Sequence, residues 1–206
     1  MTRLDRYRHP RRAPGASRIA RVAVSASLVG AFAPVTLAAQ SAQRFGVQVA
    51  ALFTEIERDG QVIRGAGIEP QFRFNRVLST ESLGALSVGI GTQLTSHSKG
   101  NDELRVFGAF VEPRWVPPLP STRVFPYVSG RIALLRVDGS FVFAPSGQSW
   151  GHAMGGGAGI VVKLSRTVNL DAGAQLLRQR FGNVGVVEFR PFTTYAAKAG
   201  VSIGLR

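Results

Sequence analysis

The sequence predicts an all-β fold: eight antiparallel strands, joined as hairpins and closed into an up-and-down barrel that spans a membrane. Three observations carry that expectation. Runs with a period of two recur from Arg44 to the last residue, and no window keeps helical periodicity beyond two turns. The runs are about 10 to 14 residues long, roughly twice an ordinary soluble strand. Short polar stretches bearing glycine or proline separate them.

The chain opens with a basic leader. Arg3, Arg6, Arg8, Arg11, Arg12, Arg18 and Arg21 share that stretch with one acid, Asp5, and run into VAVSASLVGAFAPVTLAAQ. A positive segment, a short apolar segment and small residues at its end are the parts of an export signal. Residues 1–39 are therefore expected to be a cleaved signal peptide, cut near Ala38 to Gln40, and residues 43–206 the barrel domain. The apolar stretch is short and broken by Pro34, unlike a permanent transmembrane helix. The sequence has no cysteine, which excludes a disulfide framework and a lipid-anchored cysteine.

The first run, FGVQVAALF, sets Phe45, Val47, Val49, Ala51 and Phe53 on one face and Gly46, Gln48, Ala50 and Leu52 on the other. After the turn-forming ERDGQ comes GIEPQFRFN within residues 65–75, where Ile68, Pro70, Phe72 and Phe74 oppose Glu69, Gln71, Arg73 and Asn75. The third run, 83–96, sets Leu86, Val88 and Ile90 against Ser87, Gly89 and Gly91. A loop containing SKGND is expected to lead to the fourth, 102–115, where Phe107, Ala109, Val111, Pro113 and Trp115 oppose Gly108, Phe110, Glu112 and Arg114.

VPPLPST then breaks the chain, because consecutive prolines cannot continue a ladder. The fifth run, 124–136, opposes Val128, Ile132 and Leu134 to Tyr127, Ser129 and Arg131, and a polar connection containing APSGQS follows. The sixth, about 150–164, opposes Ala158, Ile160, Val162 and Leu164 to Gly157, Gly159, Val161 and Lys163. SRT is short enough for a hairpin turn. The seventh, 167–180, sets Leu170, Ala172, Ala174 and Leu176 against Asn169, Asp171, Gly173 and Gln175. The eighth, 193–206, sets Ala197, Ala199, Val201, Ile203 and Leu205 against Lys198, Gly200, Ser202 and Gly204.

Alternation alone fits two opposite barrels, one apolar inside and one apolar outside. The polar parity decides between them, because it is crowded with glycine and serine. An eight-stranded interior is only just wide enough for side chains, so small residues there make room for charged ones. The apolar parity is nearly free of charge in the middle of each run, as hydrocarbon contact requires when a lysine or arginine at the midplane costs about 2–4 kcal/mol.

The expected lumen therefore holds Glu69, Arg73, Glu112, Arg114, Arg131, Lys163, Asp171 and Lys198, a set of acids and bases that largely neutralise one another. A network that fills the barrel is the expected role; a gated ion path is the alternative. Pro70 and Pro113 each remove a ladder donor and are expected at a bulge or near the periplasmic rim. Phe72, Phe74 and Trp115 are expected at the periplasmic interface, and Phe53, Trp150, Phe181, Phe192 and Tyr195 at the outer one. Glu-Pro occurs in both IEPQFRF and VEPRW, but two instances do not establish a repeat.

The formal charge of +13 invites a nucleic-acid reading, which its distribution opposes. From Gln40 onward the 18 basic and 11 acidic residues are scattered, with no basic block. No nucleic-acid partner is expected.

Together the leader, the eight amphipathic runs and the closing TYAAKAGVSIGLR resemble the small outer-membrane β-barrel superfamily of OmpA- and OmpX-like proteins. The resemblance is architectural and covers nearly all of residues 43–206. It implies a bacterial outer-membrane location, contact with outer-membrane lipid and insertion by the outer-membrane assembly machinery. It also implies both termini in the periplasm and the loops after odd-numbered strands outside. Members often end in an aromatic residue, whereas the sequence here closes with Leu205-Arg206, and a barrel with no peptidoglycan-binding domain is expected.

No cofactor, metal or catalytic site is expected. His97 and His152, with Ser96, Ser98 and Ser149 nearby, raise the alternative of a lipid-modifying hydrolase at the outer rim, but no spacing places a nucleophile beside a base. GGGAG at 155–159 lacks the Gly-Lys-Ser/Thr ending of a phosphate loop, and three histidines without cysteine form no metal-ligand pattern. The expected function is non-enzymatic: structural, adhesive or small-solute passage. A soluble periplasmic lipocalin-like carrier is the remaining alternative.

Overall fold

A computed structural model of the chain describes residues 45–58, 61–77, 84–99, 102–119, 123–141, 144–183 and 191–205. The expected signal peptide lies outside the described residues. Eight strands form: β1 (Phe45–Arg58), β2 (Gln61–Val77), β3 (Ala85–Lys99), β4 (Asp102–Val116), β5 (Val124–Phe141), β6 (Ala144–Lys163), β7 (Val168–Phe181) and β8 (Phe192–Leu205). Each pairs antiparallel with its sequence neighbours, and β1 pairs with β8, so the sheet closes on itself. Closure leaves no edge strand, so the ladder groups can pair with one another rather than with water.

Several strands run further than their apolar alternation suggests. SKGND, expected to be a loop, lies largely within β3 and β4, with Lys99 opposite Asp102. APSGQS, expected to be a longer connection, belongs to β6, which is separated from β5 by two residues. β5 has 18 residues; at roughly 3.4 Å per residue and a tilt near 40°, it reaches about 45 Å, far beyond an apolar band of about 25 Å. The ends of β1 to β6 after the odd-numbered strands therefore form a stalk of paired strand outside the band.

Neither proline makes a bulge; Pro113 stands three residues from the lower end of β4, near the rim, whereas Pro70 lies deeper within β2. β2–β3 partnering passes from Ile68↔Leu94 to Gln71↔Gly91, and β4–β5 from Val111↔Ile132 to Arg114↔Ser129, each resuming in unchanged register. Pro70 still opposes Val49 on β1, and Pro113 still opposes Val88 on β3. Each missing N–H thus opens one ladder on one side only, at a proline whose ring faces outward. A register shift does occur elsewhere, between Gly139 and Phe141 on β5.

Polarity reverses along the strands. Over the lower part of the barrel the outward residues are apolar and exposed, including Val49, Ile68, Ile90, Val111, Ile132, Leu170 and Val201. Inward residues at that level are mostly polar, charged or glycine, with Ala50, Phe110 and Tyr127 among them. Further up, the outward residues become Glu55, Arg64, Arg105, Arg136, Arg178 and Arg180. The interior there becomes an apolar core of Ile56, Leu104, Val106, Phe110, Ala133, Leu135, Val137, Ala153, Phe181 and Phe192. The lower half is thus built for hydrocarbon and the upper half for water. β5 makes the exchange in six residues: Arg131 is inside and Ile132 outside, whereas Leu135 is inside and Arg136 outside.

This reversal corrects the expected aromatic girdle. Phe72, Phe74, Trp115, Phe53, Trp150 and Tyr195 face outward and are exposed. Phe181 and Phe192 point inward and stack on each other with ring centroids 5.8 Å apart. Phe181 shares the inward parity of Asp171 and Gln175, which the period of two carries to the end of β7.

Candidate functional site

The lower interior is organised around Glu112 of β4, which is fully buried. Its carboxylate accepts hydrogen bonds from Arg73 of β2 at 3.0 Å, Arg114 two residues along β4 at 2.8 Å, Arg131 of β5 at 2.8 Å, Gln175 of β7 at 2.6 Å and Lys198 of β8 at 2.9 Å. Five donors from five strands thus converge on one side chain. Only a closed barrel with inward side chains brings them together, because period-two alternation puts each on the inner face.

Glu69 of β2 is the second acid. It accepts from Arg131 Nη2 at 2.5 Å, and Lys198 Nζ lies 3.7 Å away. Asp171 of β7 is the third; Arg114 Nη1 and the Tyr127 hydroxyl both donate to it, the hydroxyl at 2.9 Å. Arg73 also donates to Ser87 at 3.0 Å and Gln71 at 2.8 Å, and Arg131 donates to Gln93 at 3.3 Å. Two of the cations lie over rings: Arg131 is 3.8 Å from the Phe110 centroid and Arg114 is 4.1 Å from that of Tyr127.

Glycine makes the space. A Cβ on Gly89 would lie 2.4 Å from Gln71 Oε1 and 2.7 Å from Arg73 Nη2, so Arg73 reaches Glu112 only across a bare backbone. A Cβ on Gly159 or Gly173 would lie about as close to the Tyr127 hydroxyl that serves Asp171, at 2.5 and 2.6 Å.

Seven of the eight residues read as lumenal, Glu69, Arg73, Glu112, Arg114, Arg131, Asp171 and Lys198, are buried and joined in this network. Lys163, the last residue of β6, is half-exposed at the barrel end and pairs with no acid among the described residues. The interior therefore sets four bases against three acids. Sequence reasoning placed Phe110, Tyr127 and Gln175 on the inner face but gave them no role. A ring or amide beside a charged neighbour of the same parity is the signal that could have marked them.

His97 and His152 do not meet. His97 is buried inside, its Nε2 2.7 Å from Thr54 Oγ1, whereas His152 is exposed outside on β6. The barrel wall separates them, so they cannot serve as members of one catalytic set. No cluster of three or more potential metal ligands occurs among the described residues.

Outside the apolar band, ion pairs decorate the wall: Arg64–Glu55 at 2.9 Å, Arg105–Glu103 at 2.8 Å and Arg136–Asp138 at 3.1 Å. The Arg105 guanidinium, by hydrogen bond and charge, holds the Glu103 carboxyl below its ordinary range. These pairs are solvated and contribute little stability.

No family model and no curated protein matches the sequence. The structure is similar to solved outer-membrane barrels. Against Neisserial surface protein A the TM-score is 0.60 with 17% identity, covering 78% of this chain and 97% of that one. Against Ail, the attachment invasion locus protein of Yersinia pestis, solved in complex with the heparin analogue sucrose octasulfate, it is 0.53 with 10% identity, covering 78% and 97%. The likeness is one of fold: a closed eight-stranded antiparallel barrel.

Proposed function

We propose that this chain is a non-enzymatic barrel of the bacterial outer membrane, sealed along its axis, with a structural or adhesive role at the cell surface. The single observation that carries the reading is the pairing of an exposed apolar belt with buried, mutually bonded charges. Ile132 is 69% exposed while its neighbour Arg131 is 2% exposed, an arrangement stable only where the outside is hydrocarbon. A soluble ligand carrier needs the opposite polarity at that level.

Two features favour a sealed interior over solute passage. The charge network fills the lower lumen, and the apolar core from Ile56 to Phe192 fills the upper part. An ion crossing that core would lose most of its hydration among apolar side chains, with the buried Thr54, Thr95, His97, Gln179 and Thr194 as its few polar neighbours. The stalk, with its paired strands and polar outer wall, offers a rigid surface on which a partner could be bound. Ail is described by its name as an attachment protein, and a similar role here accords with that surface. Outer-membrane lipid around the belt and insertion by the assembly machinery complete the reading, with an export signal in residues 1–39.

The test is migration on detergent gels before and after heating, with carbonate extraction of the bacterial envelope and conductance in planar bilayers. The reading expects a compact form that converts on boiling, retention in the membrane through carbonate, and no steady channel current. Release by carbonate without detergent would exclude it, and a steady current would replace the sealed barrel with a pore.

A further inference from the structure

We infer that the outward face of β6, β7 and β8, at the upper margin of the apolar band, binds the phosphate groups of a membrane-lipid headgroup. The inference rests on the membrane reading above and adds a ligand to it. Among the outward arginines beyond the band, Arg64, Arg105 and Arg136 each hold a carboxylate on their own or an adjacent strand. Arg178 and Arg180 on β7 are exposed and have no acid partner among the described residues. Among the described residues the wall thus pairs its arginines on β2, β4 and β5 with acids and leaves two, side by side on β7, without one.

Their neighbours suit a phosphate. Arg178 and Arg180 share a face two residues apart, roughly 7 Å along the strand. Arg180 is the register partner of His152 on β6, and Arg178 faces Met154 and, on β8, Thr193. His152 adds an imidazole on the neighbouring strand, whose backbone runs ~4.8 Å from that of Arg180. Guanidinium groups grip phosphate through paired N–H donors, so two of them flanked by an imidazole form a compact anion cradle.

Position selects a lipid over a free anion. Trp150 and Tyr195, both exposed and outward, bracket the cluster on β6 and β8, as rings at headgroup depth do. Directly below, Leu176 and Met154 begin the apolar band. Beneath them Ala158, Ala172, Ala174, Ala197 and Ala199 are exposed on the same face, opposing one another across the ladders as Ala158↔Ala174, Ala174↔Ala197 and Ala172↔Ala199. This smooth lane of methyl groups gives acyl chains a bed below the phosphates.

The test uses the full chain folded in neutral detergent, with native mass spectrometry counting bound lipid. The probes are diphosphorylated lipid A, the same lipid stripped of phosphate, and inorganic phosphate as competitor. Replacing both arginines (Arg178→Gln with Arg180→Gln) is expected to lower lipid A retention about tenfold, since two charge-assisted contacts are lost. Arg64→Gln, whose arginine already serves Glu55, should leave retention unchanged. Stripped lipid should bind wild type no better than lipid A binds the double variant. Equal retention by the double variant, or equal binding of the stripped lipid, overturns the inference. Displacement of lipid A by equimolar inorganic phosphate overturns the lipid assignment. Heat-dependent gel migration of every sample reports the barrel separately, so a failure of the membrane reading shows there and not in the lipid counts.

Discussion

Arg131 of β5 and Glu112 of β4 meet inside the barrel at 2.8 Å, and the same arginine nitrogen reaches Glu69 of β2 at 2.5 Å. One cation thus joins the two Glu-Pro segments of the chain. In both segments the glutamate turns inward to the network while the proline turns out and opens one ladder beside it.

Removing that cation leaves two buried carboxylates short of charge. Arg131→Met is expected to destabilise the barrel by about 3–5 kcal/mol, the range for breaking a buried pair from one side. Equilibrium urea unfolding in lipid vesicles, followed by the fluorescence of Trp115 and Trp150, measures it. An unchanged midpoint contradicts the assigned role.

The two glutamates differ in how many partners they hold. Glu112 accepts from five side chains, whereas Glu69 accepts from Arg131 with Lys198 at 3.7 Å. Glu112→Gln should therefore lower stability more than Glu69→Gln in the same assay. The reverse order would mean that the network is centred elsewhere.

Neighbouring residues of β5 should respond according to face and height. Ile132→Arg puts a charge into the apolar belt and is expected to cost about 2–4 kcal/mol in vesicles. Leu135→Ala empties part of the upper core, where the side chain is fully buried, and is expected to cost about 2–5 kcal/mol. Leu134→Ala, facing outward between them, should cost less than either. Equal losses at 134 and 135 would contradict the alternation.

The strand count, the antiparallel closure and the inner parity were legible in the sequence because the lower barrel repeats one rule: apolar out, polar or small in. The upper barrel escaped because the rule turns over there while the chain stays extended. APSGQS and SKGND look like loops to a reader who expects every strand to show an apolar outer face. Phe181 and Phe192 look like girdle residues for the same reason, although counting by twos from Asp171 and Lys198 puts both inside. Lys163 has the inward parity but stands at the last residue of β6, beyond the reach of the network. Which donors share Glu112 depends on the register of five strands, which hairpin lengths alone do not specify.

Labelling with a bilayer-dissolved carbene probe, read residue by residue by mass spectrometry, tests the central claim most directly. The account predicts modification of Ile132, Leu170 and Val201, protection of Glu69, Arg131 and Lys198, and no labelling of Leu135 despite its apolar side chain. Labelling of the buried charges with sparing of the three outward residues would contradict it.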